Sequence, residues 1–250
     1  MTFEFVPLLQ VQRDLYDLPR GVGRFQAYLK TMIDPRTGDL ALPLVPMNPM
    51  GKEHVPALLD EYIRLDADGV AARAVSLVTQ DTSASQRAFK VGLVIADDLK
   101  GGWTNRYASE FTYRFETRAF HKRGWLVGIL WTSEAPSAAT ARNEALSAVY
   151  RAIYLEDHGP ARTLRERLAQ EGFAMAMAGC SGPTLADDDL AYTREVVTPF
   201  LNAVDQPTLM ACIFGDKAAR VLGYRPQGLT ERAGLALALY DARLAMVNAV

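Results

Sequence analysis

Cysteine is nearly absent: Cys180 and Cys212 are the only two in 250 residues, too few for a disulfide framework or a four-cysteine zinc site. Histidine is equally scarce, and His54, His121 and His158 stand far apart with no H-E-x-x-H pair, which argues against a zinc centre built on close histidines. A divalent ion, where one is bound, is better matched by carboxylates such as Asp97 or Asp98, and the residues specify neither that metal nor any cofactor. Charge of neither sign dominates: 27 basic residues stand against 29 acidic ones, net −2, without a basic run, which argues against a nucleic-acid partner. No apolar run approaches the roughly 20 residues that span a bilayer, so no membrane partner is expected. The opening Met1-Thr2-Phe3-Glu4-Phe5 lacks the charged and apolar regions of a signal peptide, and a cytoplasmic location is expected. Internal repeats and low-complexity segments are also missing.

With 49% hydrophobic and 22% charged residues, the composition is that of a globular chain with a substantial core. Val22, Phe25, Leu29, Met32 and Ile33 recur at helical spacing, and Asp34-Pro35 closes that helix. Residues 40–45 read as a short strand that Pro43 confines to an edge. A proline-stiffened loop, P-M-N-P-M-G-K-E-H, leads into a helix from about Glu53, which breaks near Asp68-Gly69 or bends on to Val78. Residues 81–86 are small and polar, a surface loop. Two unbroken apolar runs, 89–96 and 125–131, read as strands buried on both faces. A helix capped by Thr104 lies between them, the size of a βαβ crossover with parallel strands.

From Pro136 the chain reads as helical: a Ser137-capped helix ending at His158-Gly159-Pro160, a second over 161–178 and a third opened by Thr184 with Asp187. Shorter helices after Pro207 and Asp216 and a final one over 230–247 complete the pattern; Met175, Met177 and Met210 are read as helix core. The expected fold is mixed α/β (α+β), a small mainly parallel sheet covered by helices, with a helix-rich C-terminal half. Residues 1–250 are taken as a single compact domain. Any subdivision falls near 135, separating an α/β part (1–135) from a helical part (136–250).

Two segments carry candidate chemistry. In residues 91–107, V-G-L-V-I-A-D-D-L-K-G-G-W-T-N-R-Y, Asp97 and Asp98 stand at the carboxyl end of a strand, where open α/β sheets bind ligands. Lys100, the backbone of Gly101 and Gly102, Asn105 and Arg106 at a helix start suit a phosphate or carboxylate, and Trp103 is placed to wall a pocket. This is neither a P-loop nor G-x-G-x-x-G. In the proline loop, Asn48 and Lys52 suit an anion and His54 suits proton transfer, with Glu61 two turns on as its candidate partner. His121 reads as a solvated turn and His158 as a helix terminus. Gly179-Cys180-Ser181-Gly182-Pro183 carries no nucleophile signature and reads as a join between helices, and Cys212 as core.

These residues point to an enzyme acting on a small anionic substrate, with His54, Asp97 and Asp98 catalytic. Lys100, Gly101, Gly102 and Arg106 hold the anion, and Lys52 and His54 close the site. That arrangement requires His54 near Asp97. Two other readings are a non-catalytic small-ligand-binding or homo-oligomeric interaction protein, for which a homodimer is the commonest form, and a divalent-metal-dependent hydrolase using carboxylates.

Overall fold

A computed structural model describes residues 1–81, 87–99 and 104–248; Lys100, Gly101, Gly102 and Trp103, and most of the loop expected over 81–86, lie outside them. The sheet has three parallel strands in the order β1 (Thr2–Phe5), β2 (Ala88–Ala96), β3 (Trp125–Trp131). β2 and β3 are the two apolar runs of the sequence, and β3 is buried at every position, as in parallel sheets covered on both faces. β1 is a strand that the sequence did not reveal: four residues, T-F-E-F, are too short for an alternation to stand out.

Between β1 and β2 run α1 (Leu9–Asp17), α2 (Val22–Met32), α3 (His54–Arg64) and α4 (Ala67–Asp81); between β2 and β3 run α5 (Arg106–Phe115) and α6 (Arg118–Lys122). The break between α3 and α4 comes at Asp66, whose φ is 51°, slightly before the expected position. α2 spans the expected residues but buries a different face. Val22 is 72% exposed, while Arg24 and Tyr28 are buried; Arg24 donates to the carbonyls of Leu18 (2.7 Å) and Tyr16 (3.3 Å), and Tyr28 to that of Leu44 (3.2 Å). In place of a strand over 40–45 there is a single antiparallel bridge, Leu40 to Ile33, since Pro43 has no N–H to extend a ladder. α5 is capped by Asn105, which accepts the Ala108 N–H at 3.1 Å, rather than by Thr104.

The chain divides into two compact units, Met1–Ser109 with Glu116–Val149, and Glu110–Phe115 with Tyr150–Val250. The sheet lies in the first. The second is built from residues 150–158 of α7 (Ala138–His158) together with α8 (Leu164–Ala178), α9 (Asp187–Val197), α10 (Gln206–Phe214), α11 (Asp216–Val221) and α12 (Ala233–Asn248). Ser137 caps α7, as expected. The capping box belongs to α8, where Thr163 and Glu166 exchange bonds, whereas α9 starts at Ala186 with no side-chain cap, so Thr184 plays no such part. Met177 is 41% exposed rather than core. Every residue of α12 from Ala233 to Leu239 is buried, which makes that half-helix the centre of the second unit. No helix among the described residues is long and apolar enough to cross a membrane.

One polar residue holds the central strand in place. β1 pairs with β2 only as far as Val91, so among the described residues the β2 backbone beyond it has no strand neighbour on that side. Gln12 of α1, fully buried, takes over: its Nε2 donates to the Leu93 carbonyl and its Oε1 accepts the Ile95 N–H, each at 2.9 Å. A side-chain amide thereby does what a fifth residue pair would do, since buried backbone groups must be paired. Gln12→Leu is expected to cost about 3 kcal/mol by orphaning both groups. Urea denaturation measures this, and a change near zero would show that Gln12 does not support the strand.

Candidate active site

The register that aligns Ala96 with Trp131 puts the carboxyl ends of β2 and β3 side by side, so Asp97 and Asp98 emerge next to Thr132 and Ser133. Asp97 is 2% exposed. A carboxylate this deeply buried must be matched by donors, and it collects four. His54 Nε2 lies 2.7 Å from Oδ1, the Thr132 hydroxyl 3.1 Å and the Leu99 N–H 3.3 Å from the same oxygen, and Asn48 Nδ2 donates to Oδ2 at 3.0 Å. Burial pushes the Asp97 carboxyl up, but the bonds from His54 and Asn48, the histidine's charge and the Thr132 hydroxyl together hold it below the usual carboxylate range.

The proline loop delivers two of these donors. Asn48 is itself buried; its Oδ1 accepts the Met50 N–H at 3.0 Å and its carbonyl accepts the Tyr16 hydroxyl at 2.5 Å and the Gly51 N–H at 3.0 Å. Tight closure requires the glycine, because a Cβ on Gly51 would sit 2.7 Å from Val55 Cγ2 and 3.2 Å from the Asn48 carbonyl oxygen. Burial, with the nearby Asp97 charge, pushes the Tyr16 phenol well above its ordinary range, so it stays a donor. His54 is the first residue of α3. Its Nδ1 is shielded from solvent and has no hydrogen-bond partner among the described residues.

Asp98 is held separately. Its Oδ1 accepts the Ser133 N–H (2.9 Å), and its Oδ2 accepts the Ser133 hydroxyl (2.6 Å) and Arg106 Nη1 (3.0 Å). The Thr132 hydroxyl lies 3.1 Å from Asp98 Oδ1 as well as from Asp97 Oδ1, so its one proton serves a single carboxylate at a time. Arg106 also donates to the Ser133 hydroxyl (2.8 Å) and to Glu134, and its guanidinium lies 4.6 Å from the centre of the Trp131 ring.

Of the residues singled out in the sequence, the structure brings together His54, Asp97 and Asn48, with Asp98 beside them. Arg106 is engaged with two carboxylates, Asn105 is a helix cap and Lys52 is exposed at the loop before α3. Glu61 pairs with Arg64 on the surface, so the partner of His54 is Asp97 instead. His121 is not a solvated turn: it lies in the last turn of α6, edge-on to Phe89, 5.6 Å between ring centres, and burial with the nearby Arg87 pushes it down to about 4. Thr132 and Ser133 were missed, although W-T-S-E at the end of the second apolar run is the same strand-end signal that marked Asp97. Among the described residues no three His, Cys, Asp or Glu side chains converge as a metal site.

A carboxyl held below its unfolded value stabilises the fold above that value, about pH 4, and ceases to do so as pH falls through the folded one. Asp97→Asn is therefore expected to lower stability by about 1–3 kcal/mol at pH 7, with the difference from wild type shrinking below pH 4. Urea titrations at pH 7 and pH 3 measure it; an equal difference at both would contradict an ionised Asp97.

Compared with protein-family models, curated proteins and solved structures, the chain finds no significant match.

Proposed function

We propose that the first unit is an enzyme that uses the His54–Asp97 pair to transfer a proton in a reaction of a small anionic substrate. The observation that carries this reading is the His54 Nδ1, without a hydrogen-bond partner among the described residues, beside an Nε2 that a buried carboxylate holds at 2.7 Å. In the neutral imidazole one nitrogen bears hydrogen and the other a lone pair. The Asp97 contact assigns hydrogen to Nε2 and leaves the lone pair on Nδ1. That nitrogen takes a proton from a bound reactant, and Asp97 stabilises the imidazolium that forms. Asn48 and Thr132 keep Asp97 in place and ionised throughout.

The anionic class of the substrate rests on charge near His54. Lys52 is exposed two residues before it, and the amino end of α3 favours negative charge. Arg106, held by Asp98 and Glu134, positions Asp98 in this reading rather than gripping the substrate.

Histidine-labelled protein tests the proposal by nitrogen NMR. The expected result at neutral pH is a His54 with hydrogen on Nε2 and a bare Nδ1 that shifts on adding a member of a panel of small phosphates and carboxylates. For any compound found to turn over, His54→Gln is expected to lower kcat by about 10²–10⁴. Hydrogen on Nδ1 in the neutral ring, or no response to the whole panel, would end this reading.

A further inference from the structure

The second unit holds an apolar groove that plays no part in the His54 site. It has a volume of about 720 Å³ and runs between α8, α12 and the turn that follows α9, with Leu168, Phe173, Met177, Leu201, Leu237 and Met246 among its walls. That volume is within the range of small-molecule sites, which are mostly apolar with a few placed polar groups. The floor is set by Gly172. A Cβ there would sit 2.4 Å from the Ala238 carbonyl oxygen, so α8 and α12 touch backbone to backbone at that point, and the groove lies along their junction.

Three charged side chains line it, and they are not equivalent. Arg194 and Asp241 neutralise each other through bonds of 3.0 and 2.5 Å. Arg165 is different: among the described residues nothing pairs with its guanidinium. Arg165 stands at the amino end of α8, and the lining continues along that helix to Met177, about 18 Å away at a rise of ~1.5 Å per residue. The result is a long apolar groove with one solvent-exposed arginine at one end that no carboxylate pairs with among the described residues. A neutral apolar molecule would leave that cation unused, and a compact anion would leave the walls wet.

We infer that this groove binds a linear alkyl carboxylate, its head against Arg165 and its chain along α8 and α12 toward Met177 and Met246. Arginine is suited to a carboxylate because its planar fork of N–H groups matches the two oxygens. Burial of each methylene adds to affinity until the chain outruns the groove.

Titration calorimetry on the full chain, with decanoate, dodecanoate and myristate below their micelle concentrations, tests the inference. Expected are one site per chain and affinity rising about fourfold per methylene. Arg165→Ala is expected to weaken the carboxylates about tenfold while leaving myristyl alcohol unchanged. Ala169→Trp and Ala245→Trp, both at exposed positions that fold without repacking a core, should each block all ligands. Binding that does not saturate, or that survives both tryptophan variants, overturns the assignment. So does equal weakening of alcohol and carboxylate by Arg165→Ala. A chain that sediments as a dimer, resists myristate and becomes a monomer with Ala245→Trp would show that a second copy occupies the groove instead.

Discussion

A buried carboxylate at the end of the central strand is the constraint around which the first unit is arranged. Asp97 is 2% exposed, and leaving such a group unmatched would cost several kcal/mol. Its four donors come from three separate stretches of chain: the proline loop and the start of α3, the turn after β2, and the end of β3. Meeting that demand fixes where the loop meets the carboxyl end of β2 and where α3 begins. The stiffness of Pro46, Pro49 and the Gly51 turn then has a physical purpose, because an amide and an imidazole must both arrive within hydrogen-bond reach of one carboxyl group.

Upstream of Asp97, the same strand depends on Gln12. With β1 ending early, the last residues of β2 would leave a carbonyl and an amide unpaired in the interior, and the Gln12 side chain satisfies both. Asp97 lies two residues beyond Ile95, which Gln12 holds. α1 thus bears on the position of a carboxylate that it does not touch. In the proposed reaction such support matters, since small displacements of a catalytic side chain are expensive in rate.

What was legible in the sequence follows from the type of force involved. β2 and β3 are legible because long apolar runs leave few alternatives, and their parallel pairing follows from the helix-sized segment between them. β1 and the buried face of α2 are not, because they depend on partners distant in sequence: Arg24 is buried only because two carbonyls and the Tyr16 ring receive it. His54 and Asp97 each stood out alone, by residue type and by position at the end of an element. Their pairing is tertiary, and nothing local in the proline loop encodes the 2.7 Å contact. Asp98 and Arg106 looked equally chemical, yet the Ser133 and Glu134 side chains that occupy them sit almost thirty or more residues away.

Burial of charge alone does not mark a functional site, as the second unit makes plain. Glu171 is more deeply buried than Asp97. Arg151 grips it at 2.8 and 3.1 Å, Arg114 shares one of its oxygens, and Arg114 and Arg232 both hold Glu110, the latter through two bonds of 2.7 Å. Burial pushes the Glu171 carboxyl up, but the two guanidiniums outweigh it and keep it ionised below the usual range. Guanidinium does not give up its proton in proteins, so this network fastens helices and has no means of moving a proton. At Asp97 the corresponding partner is an imidazole, which unlike a guanidinium can hold or release its second ring proton, and one of its nitrogens has no hydrogen-bond partner among the described residues. The two clusters use the same kind of anion. They differ in whether its cation can change state, and that difference is why the proposed chemistry rests on His54 rather than on the more elaborate network in the helices.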